Sequence, residues 1–261
     1  MISSTVRDLL RAADTQGAKI DPKLRKSLET ATGLLSEVNT ITVDGPDLGT
    51  AIADALLDGR DVASDPAVIR AIVGTHITSP GGLAAVRERT TARLWTLLRD
   101  NLDNLITPFQ APLEKAADTF TQAHAILSAH NIGSITDPAI ATAPLKVAEA
   151  GIEARKAQAD ITAIRSAIDG LLVMVGRADG SPLGHLTRWV DAGNAPAPQI
   201  LELGRAATEW DVVSHGYRIS IATPAENAER RERATHAEQA VNFEASRDHA
   251  QEARAAAMAR R

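Results

Sequence analysis

The feature that most limits what this chain can fold into is one run of apolar residues: Leu102, Ile106, Phe109, Leu113, Ala116, Phe120, Ala123 and Leu127. Its steps alternate between four and three. That rhythm draws a single stripe along a helix and requires another helix to cover it. Residues 145–175 are the next stretch able to do so, with Leu145, Ala148, Ile152, Ala159, Ile161, Ile164, Ile168, Leu171, Leu172 and Val175 as the candidate inward positions. The spacing therefore predicts an elongated antiparallel helical hairpin over residues 83–176, with a kink near 107–112 and a turn over 131–143. Its seam is read as Leu102, Ile106, Phe109, Leu113, Phe120 and Leu127 against Ile161, Ile164, Ile168 and Val175. Between Ile152 and Ile161 the stripe is weak, because Arg155 and Lys156 intrude. Aromatic residues are only 3% of the chain. A core of Ala, Leu, Ile and Val suits close helix packing better than facing sheets, so the expected class is all-α.

Prolines ordinarily argue against helices, but here their neighbours reverse the inference. Asp21, Asp65, Ser79, Thr107, Asp137, Ser181 and Thr223 each stand directly before a proline. An oxygen-bearing side chain at the cap accepts from the first unpaired backbone N–H groups, and proline in the first turn has no N–H to leave unpaired. Thr107 with Gln110 and Thr223 with Glu226 have the spacing of reciprocal capping boxes. Pro108 and Pro112 fall inside the heptad run. They predict either a kinked continuous helix or two helices meeting at Thr107.

Four short helices are expected in residues 1–78 as a small N-terminal bundle. The first carries Ile2, Val6, Leu9, Leu10 and Ala13. The second carries Leu24, Leu28, Ala31, Leu34, Leu35 and Val38. Residues 39–42 read as a brief extended segment, and Asp44-Gly45-Pro46 as a turn. Residues 83–106 read as one helix with Val86, Leu94, Leu98, Leu102 and Leu105 inward. Residues 177–222 are expected to hold two helices, over 183–191 and 198–214, packed on the body, with Tyr217–Ala222 as a short strand or arm. The last segment, 224–261, alternates Glu and Arg, ends on Arg260-Arg261, and has only Val241, Phe243 and Met258 as large apolar residues. High helix propensity without a stripe to bury predicts an exposed, charged C-terminal helix.

Cysteine is absent, which removes thiolate chemistry and cysteine metal sites. Net charge is -5 and no segment carries an excess of basic residues, so nucleic-acid binding is disfavoured. Neither a signal peptide nor a membrane span is read, so a cytoplasmic or virion-associated location is expected. No HExxH, Gly-x-Ser-x-Gly, Gly-x-Gly-x-x-Gly or Gly-Lys-Ser/Thr pattern occurs. No catalytic residue, metal site or cofactor is therefore assigned. Asp211 and His215 share a helix face beside Glu209, but pairing on a helix surface explains that spacing without a metal. The 179–184 loop reads as a capping loop rather than an anion cradle. His130, at a helix end, is expected to meet the dipole there.

What remains is a non-enzymatic helical protein for structure, assembly or interaction, taking a protein partner or another copy of itself. Trp189, Val241, Phe243, Arg230 and Arg231 are the candidate contact residues. Proteins of this build abound in bacteriophage and prophage morphogenesis, and Arg-rich, Lys-poor usage suits a GC-rich bacterial host. Two alternatives stand beside this: a small-molecule site near His185, Trp189, Asp211 and His215, and a secreted helical effector.

Overall fold

The computed structural model describes residues 2–38, 47–78 and 80–259. The expectations for residues 39–46, for the Ser79 cap and for Arg260-Arg261 lie outside them. In order, the chain forms α1 (Ile2–Gln16), α2 (Pro22–Val38), α3 (Leu48–Leu57), α4 (Pro66–Thr78), α5 (Pro80–Asp100), α6 (Leu102–Ile106), α7 (Gln110–Ser128), α8 (Leu145–Met174), α9 (Pro182–Trp189), β1 (Val190–Asp191), α10 (Ala197–Glu202), α11 (Glu209–Ser214), β2 (Arg218–Ile219) and α12 (Pro224–Ala259). Tighter turns of helix occupy Thr107–Phe109 and Pro138–Thr142. The fold is all-α apart from the two-residue strands.

The chain divides into two compact units, one of residues 1–6 and 21–100, the other of residues 7–20 and 101–261. In the first, α2 packs on α5 and α3 on α4. Leu24, Leu28, Ala31 and Leu35 are buried on α2, as are Leu94 and Leu98 on α5. Leu34 and Val86, both expected to face inward, are each 46% exposed. Ala51 and Ala55 of α3 meet Val68 and Ala71 of α4.

The expected start of the hairpin at Leu83 is replaced by a break at Asn101, where φ is -117° and ψ 20°. Asn101, Asp103 and Asn104 cluster there. Such side chains compete with the helical backbone for its hydrogen bonds, so α5 stops and groups with the N-terminal helices instead. The joint at Thr107 is present as one tight turn containing Pro108. Thr107 makes no capping box with Gln110: the Gln110 amide donates to the Ile221 carbonyl at 3.3 Å and to the Glu226 carboxylate at 3.0 Å. Asp21, Asp65, Asp137, Ser181 and Thr223 do accept from the backbone N–H groups that follow their prolines.

In the second unit α7 and α8 pack as an antiparallel hairpin. All ten seam residues named from the heptads are buried, Leu102 least completely at 7% exposed. The first half of α8 differs from expectation. Leu145 and Ile152 are 75% and 57% exposed. The stripe runs instead through Val147, Ala150, Ala154 and Ala157 into Ile161, at steps of three and four. Small side chains bring the helix close to its neighbour, and Gly151 lies against Ile140 in the turn region.

After α8, Gly176 (φ +67°) reverses the chain and α9 begins. The helix expected over 198–214 is two, α10 and α11, parted where Gly204 takes φ +72°. Val190 pairs with Ile219 and Asp191 with Arg218 in an antiparallel register. The pairing extends through Ser220 N–H to the Trp189 carbonyl and Ala222 N–H to the Arg188 carbonyl. This short ladder fixes the end of α9 against the body.

Only part of α12 is the exposed helix foreseen. Its first three turns dock on α9 and α10. Ala234 joins Leu186, Ala197 and Ile200 in a shared cluster. Asn227 is buried, accepting from the Thr187 hydroxyl at 2.7 Å and donating to the Gly184 carbonyl at 3.0 Å. No described helix is long and apolar enough to cross a membrane.

Candidate functional site

A network of polar side chains in the second unit joins α8, α9 and α11. Helix α8 contributes Gln158 and Arg165, seven residues apart and so on one face. Helix α11 opens with a capping box between Thr208 and Asp211, which fixes Glu209 in its first turn. The Glu209 carboxylate, 6% exposed as a residue, accepts from Gln158 Nε2 at 3.0 Å and from Arg165 at 2.9 Å. Both of its oxygens are thus engaged by α8. The Arg165 guanidinium also sits 5.4 Å from the centre of the Trp189 ring, a cation–π distance.

Helix α9 supplies His185, Arg188 and Trp189, spaced to share a face. Arg188 is buried and pairs with Asp169 at 3.7 Å. Burial pushes its guanidinium pKa down, and Asp169 and Asp179 oppose that. Trp189 is 3% exposed, and its indole Nε1–H has no acceptor among the described residues. Between these helices lies a cavity lined by Arg165, His185, Trp189, Arg205, Glu209 and aliphatic side chains. It offers water centres about 20 Å³, room for about one water.

Burial lowers the pKa of His185; Arg165, Arg188 and Arg205 add to this, and Asp169 works against it. Burial alone lowers that of His124 on α7. For a histidine whose folded value is depressed, the unfolded chain binds the proton first as pH falls below about 6.5. Stability is therefore complete above that point and is lost as pH drops through it toward the folded values. The urea midpoint of this unit is expected to fall between about pH 7.5 and 5.5, and His185→Gln should flatten the fall. An unchanged profile in that variant would remove His185 as a contributor.

His124 Nε2 lies 3.0 Å from the Ser214 hydroxyl, and its ring lies 4.3 Å from the Trp210 ring. This brings together a serine and a histidine that sequence reading left scattered. The Ser128 hydroxyl lies 3.5 Å from the same nitrogen, and among the described residues no carboxylate is hydrogen-bonded to that ring.

The residues named from sequence separate into three groups. His185 and Trp189 do line one cavity, but Asp211 and His215 do not join them. The Asp211 carboxylate accepts from the Thr208 N–H and hydroxyl, and His215 Nδ1 meets the Asp211 carbonyl at 2.8 Å. Trp189 faces the interior and is not a surface contact. Arg230 and Arg231 are engaged within the chain, Arg230 donating to the Thr187 carbonyl at 3.1 Å and Arg231 to the Asp179 carboxylate. That carboxylate also takes the Ser181 N–H, so the 179–184 loop already holds its own anion. His130 Nδ1 meets the Ile126 carbonyl at 3.0 Å, at the helix end where it was expected. Val241 and Phe243 are exposed, at 53% and 70%. Gln158, Arg165 and Glu209 went unassigned. The available signal was Arg165 interrupting an otherwise apolar stretch of α8. Among the described residues no group of three potential metal ligands comes together.

The chain matches no protein-family model, no curated protein and no solved structure.

Proposed function

We propose that the protein is a non-enzymatic helical interaction protein, with the outer part of α12 as its contact element. One observation carries this reading. Helix α12 is docked through Asn227 and Ala234, and beyond Glu238 every described side chain through Glu244 is exposed, Val241 and Phe243 included. A helix anchored at one end and bare at the other presents side chains at helical spacing to a groove or to another helix. The large apolar residues on that bare stretch lack a role in the body of the chain. Helical, aromatic-poor proteins with a charged arm abound in bacteriophage and prophage morphogenesis, and that is the setting we propose, with the partner a second copy or another assembly protein.

The test is sedimentation velocity across a concentration series, for the full chain and for a Val241→Asp, Phe243→Asp variant. The variant should keep the far-ultraviolet circular dichroism of the parent, because neither residue is buried. The parent should form a defined larger species, alone or with co-expressed neighbouring gene products, and the variant should not. Equal assembly by both would remove α12 as the contact element.

A further inference from the structure

The outer face of α8 repeats itself at intervals of seven. Leu145, Ile152, Ala159, Ser166 and Val173 recur in that step along the helix, and all five are exposed, Leu145, Ile152 and Val173 by more than half. Single exposed apolar residues are ordinary on a protein surface. Three large ones in register with two small ones, over about 42 Å of helix, are not scatter. A seven-residue step falls only about 20° short of two full turns, so the five form one nearly straight seam on which a second helix can pack. The opposite face of α8 is taken by α7.

Two features name the occupant. Turned end for end about Ala159, the seam meets itself without opposing charges. Leu145 then faces the partner's Val173, and Ile152 faces the partner's Ser166. Ala163 and Gly170 leave room beside the larger side chains. The flanking charges select the same direction. Arg155 and Lys156 are exposed on this face, and Lys156 has no acceptor among the described residues. Asp160, half-buried, gives one oxygen to Gln16 Nε2 at 3.1 Å. A parallel, in-register pair would bring Arg155 and Lys156 of both copies to one level. In the antiparallel pair the two Lys156 residues stand about 9 Å apart along the axis, and each comes within about 3 Å along it of the partner's Asp160, on the same side of the seam. Twofold symmetry forms that ion pair twice. We propose that the outer face of α8 is a homodimer interface, two copies packing antiparallel with the twofold axis at Ala159 and Lys156 paired with the partner's Asp160.

The absence of cysteine allows a direct test. The background is the full chain carrying Val241→Asp and Phe243→Asp, so that α12 does not contribute; the species built through α12 is larger than this dimer. Sedimentation velocity should show a monomer–dimer equilibrium in that background. Under copper–phenanthroline oxidation Ala159→Cys should give a disulfide-linked dimer. Leu145→Cys alone should not, because its two copies lie about 42 Å apart along the axis, whereas a mixture of Leu145→Cys and Val173→Cys chains should link. Ile152→Glu, a change at an exposed position, should keep the circular dichroism and weaken dimerisation about a hundredfold, since symmetry puts the charge into the seam twice at about tenfold each. Lys156→Glu should weaken it too, and added Asp160→Lys should restore it. A monomer at every concentration overturns the proposal. So does self-linkage of Leu145→Cys, or an Ile152→Glu chain that dimerises as tightly as its background.

Discussion

Replacing Glu209 by alanine should lower the stability of the second unit by about 3 kcal/mol, as expected when one partner of a buried ion pair is removed. The magnitude follows from what is left behind. Arg165 and Gln158 both donate to that carboxylate, and neither gains a substitute acceptor when it goes. A fully enclosed pair loses about 3–5 kcal/mol in such a truncation. The Arg165 side chain is 27% exposed against 8% for Glu209, so water recovers part of the arginine's solvation and the lower end applies. Urea unfolding read by indole fluorescence measures the loss. Trp95 belongs to the other unit, so a Trp95→Phe background confines the signal to Trp189 and Trp210. Glu209→Gln should cost less, since it retains one acceptor. A loss below about 1 kcal/mol for alanine would place the pair in the class of solvated surface bridges.

The second large effect is a reversal of sign. Glycine inside a helix is normally worse than alanine by about 0.5–1 kcal/mol. Gly33 in α2 meets that rule, because a Cβ there would have nothing within 4 Å. Gly33→Ala should therefore stabilise the first unit. At Gly151 an added Cβ would lie 2.5 Å from Ile140 Cγ2 and 3.3 Å from its Cδ1. Ile140 is 3% exposed and branched at the Cβ that carries the clashing methyl, so it cannot swing clear. Gly151→Ala should destabilise the second unit by about 1–3 kcal/mol, the usual range for overpacking. Parallel urea titrations of the two variants decide the matter. A shift in the same direction for both would mean that Ile140 and its turn yield to the new methyl group.

These cases show where sequence reading succeeded and where it stopped. The heptads from Leu102 to Leu127 were legible because each large side chain needs a dry partner, and few alternative faces exist. Caps at Asp21, Asp65, Ser181 and Thr223 were legible because their hydrogen bonds are local. The first half of α8 was not. There the seam is alanine, which looks alike on every face of a helix, while the conspicuous Leu145 and Ile152 point to solvent. The Asn101 break was hidden by apolar phase continuing across it. Alternating Glu and Arg suggested a solvated face throughout α12, yet Asn227, Arg230 and Arg231 are held by α9 and the loop before it. The Glu209 site draws on three helices far apart in sequence. Only the intrusion of Arg165 among isoleucines hinted at it.

The Glu226 carboxylate closes the capping box of α12 by accepting from the Thr223 N–H at 2.8 Å, and it also accepts from Gln110 at the start of α7. The first turn is the expensive step in making any helix, since several residues must be fixed for a single hydrogen bond. Here that step is subsidised by a residue more than a hundred positions earlier in the chain. The capped first turn of the long helix is thereby tied to the start of α7. Cut away from that tie, the same 36 residues would have only their own alanine, glutamate and arginine content to hold them helical.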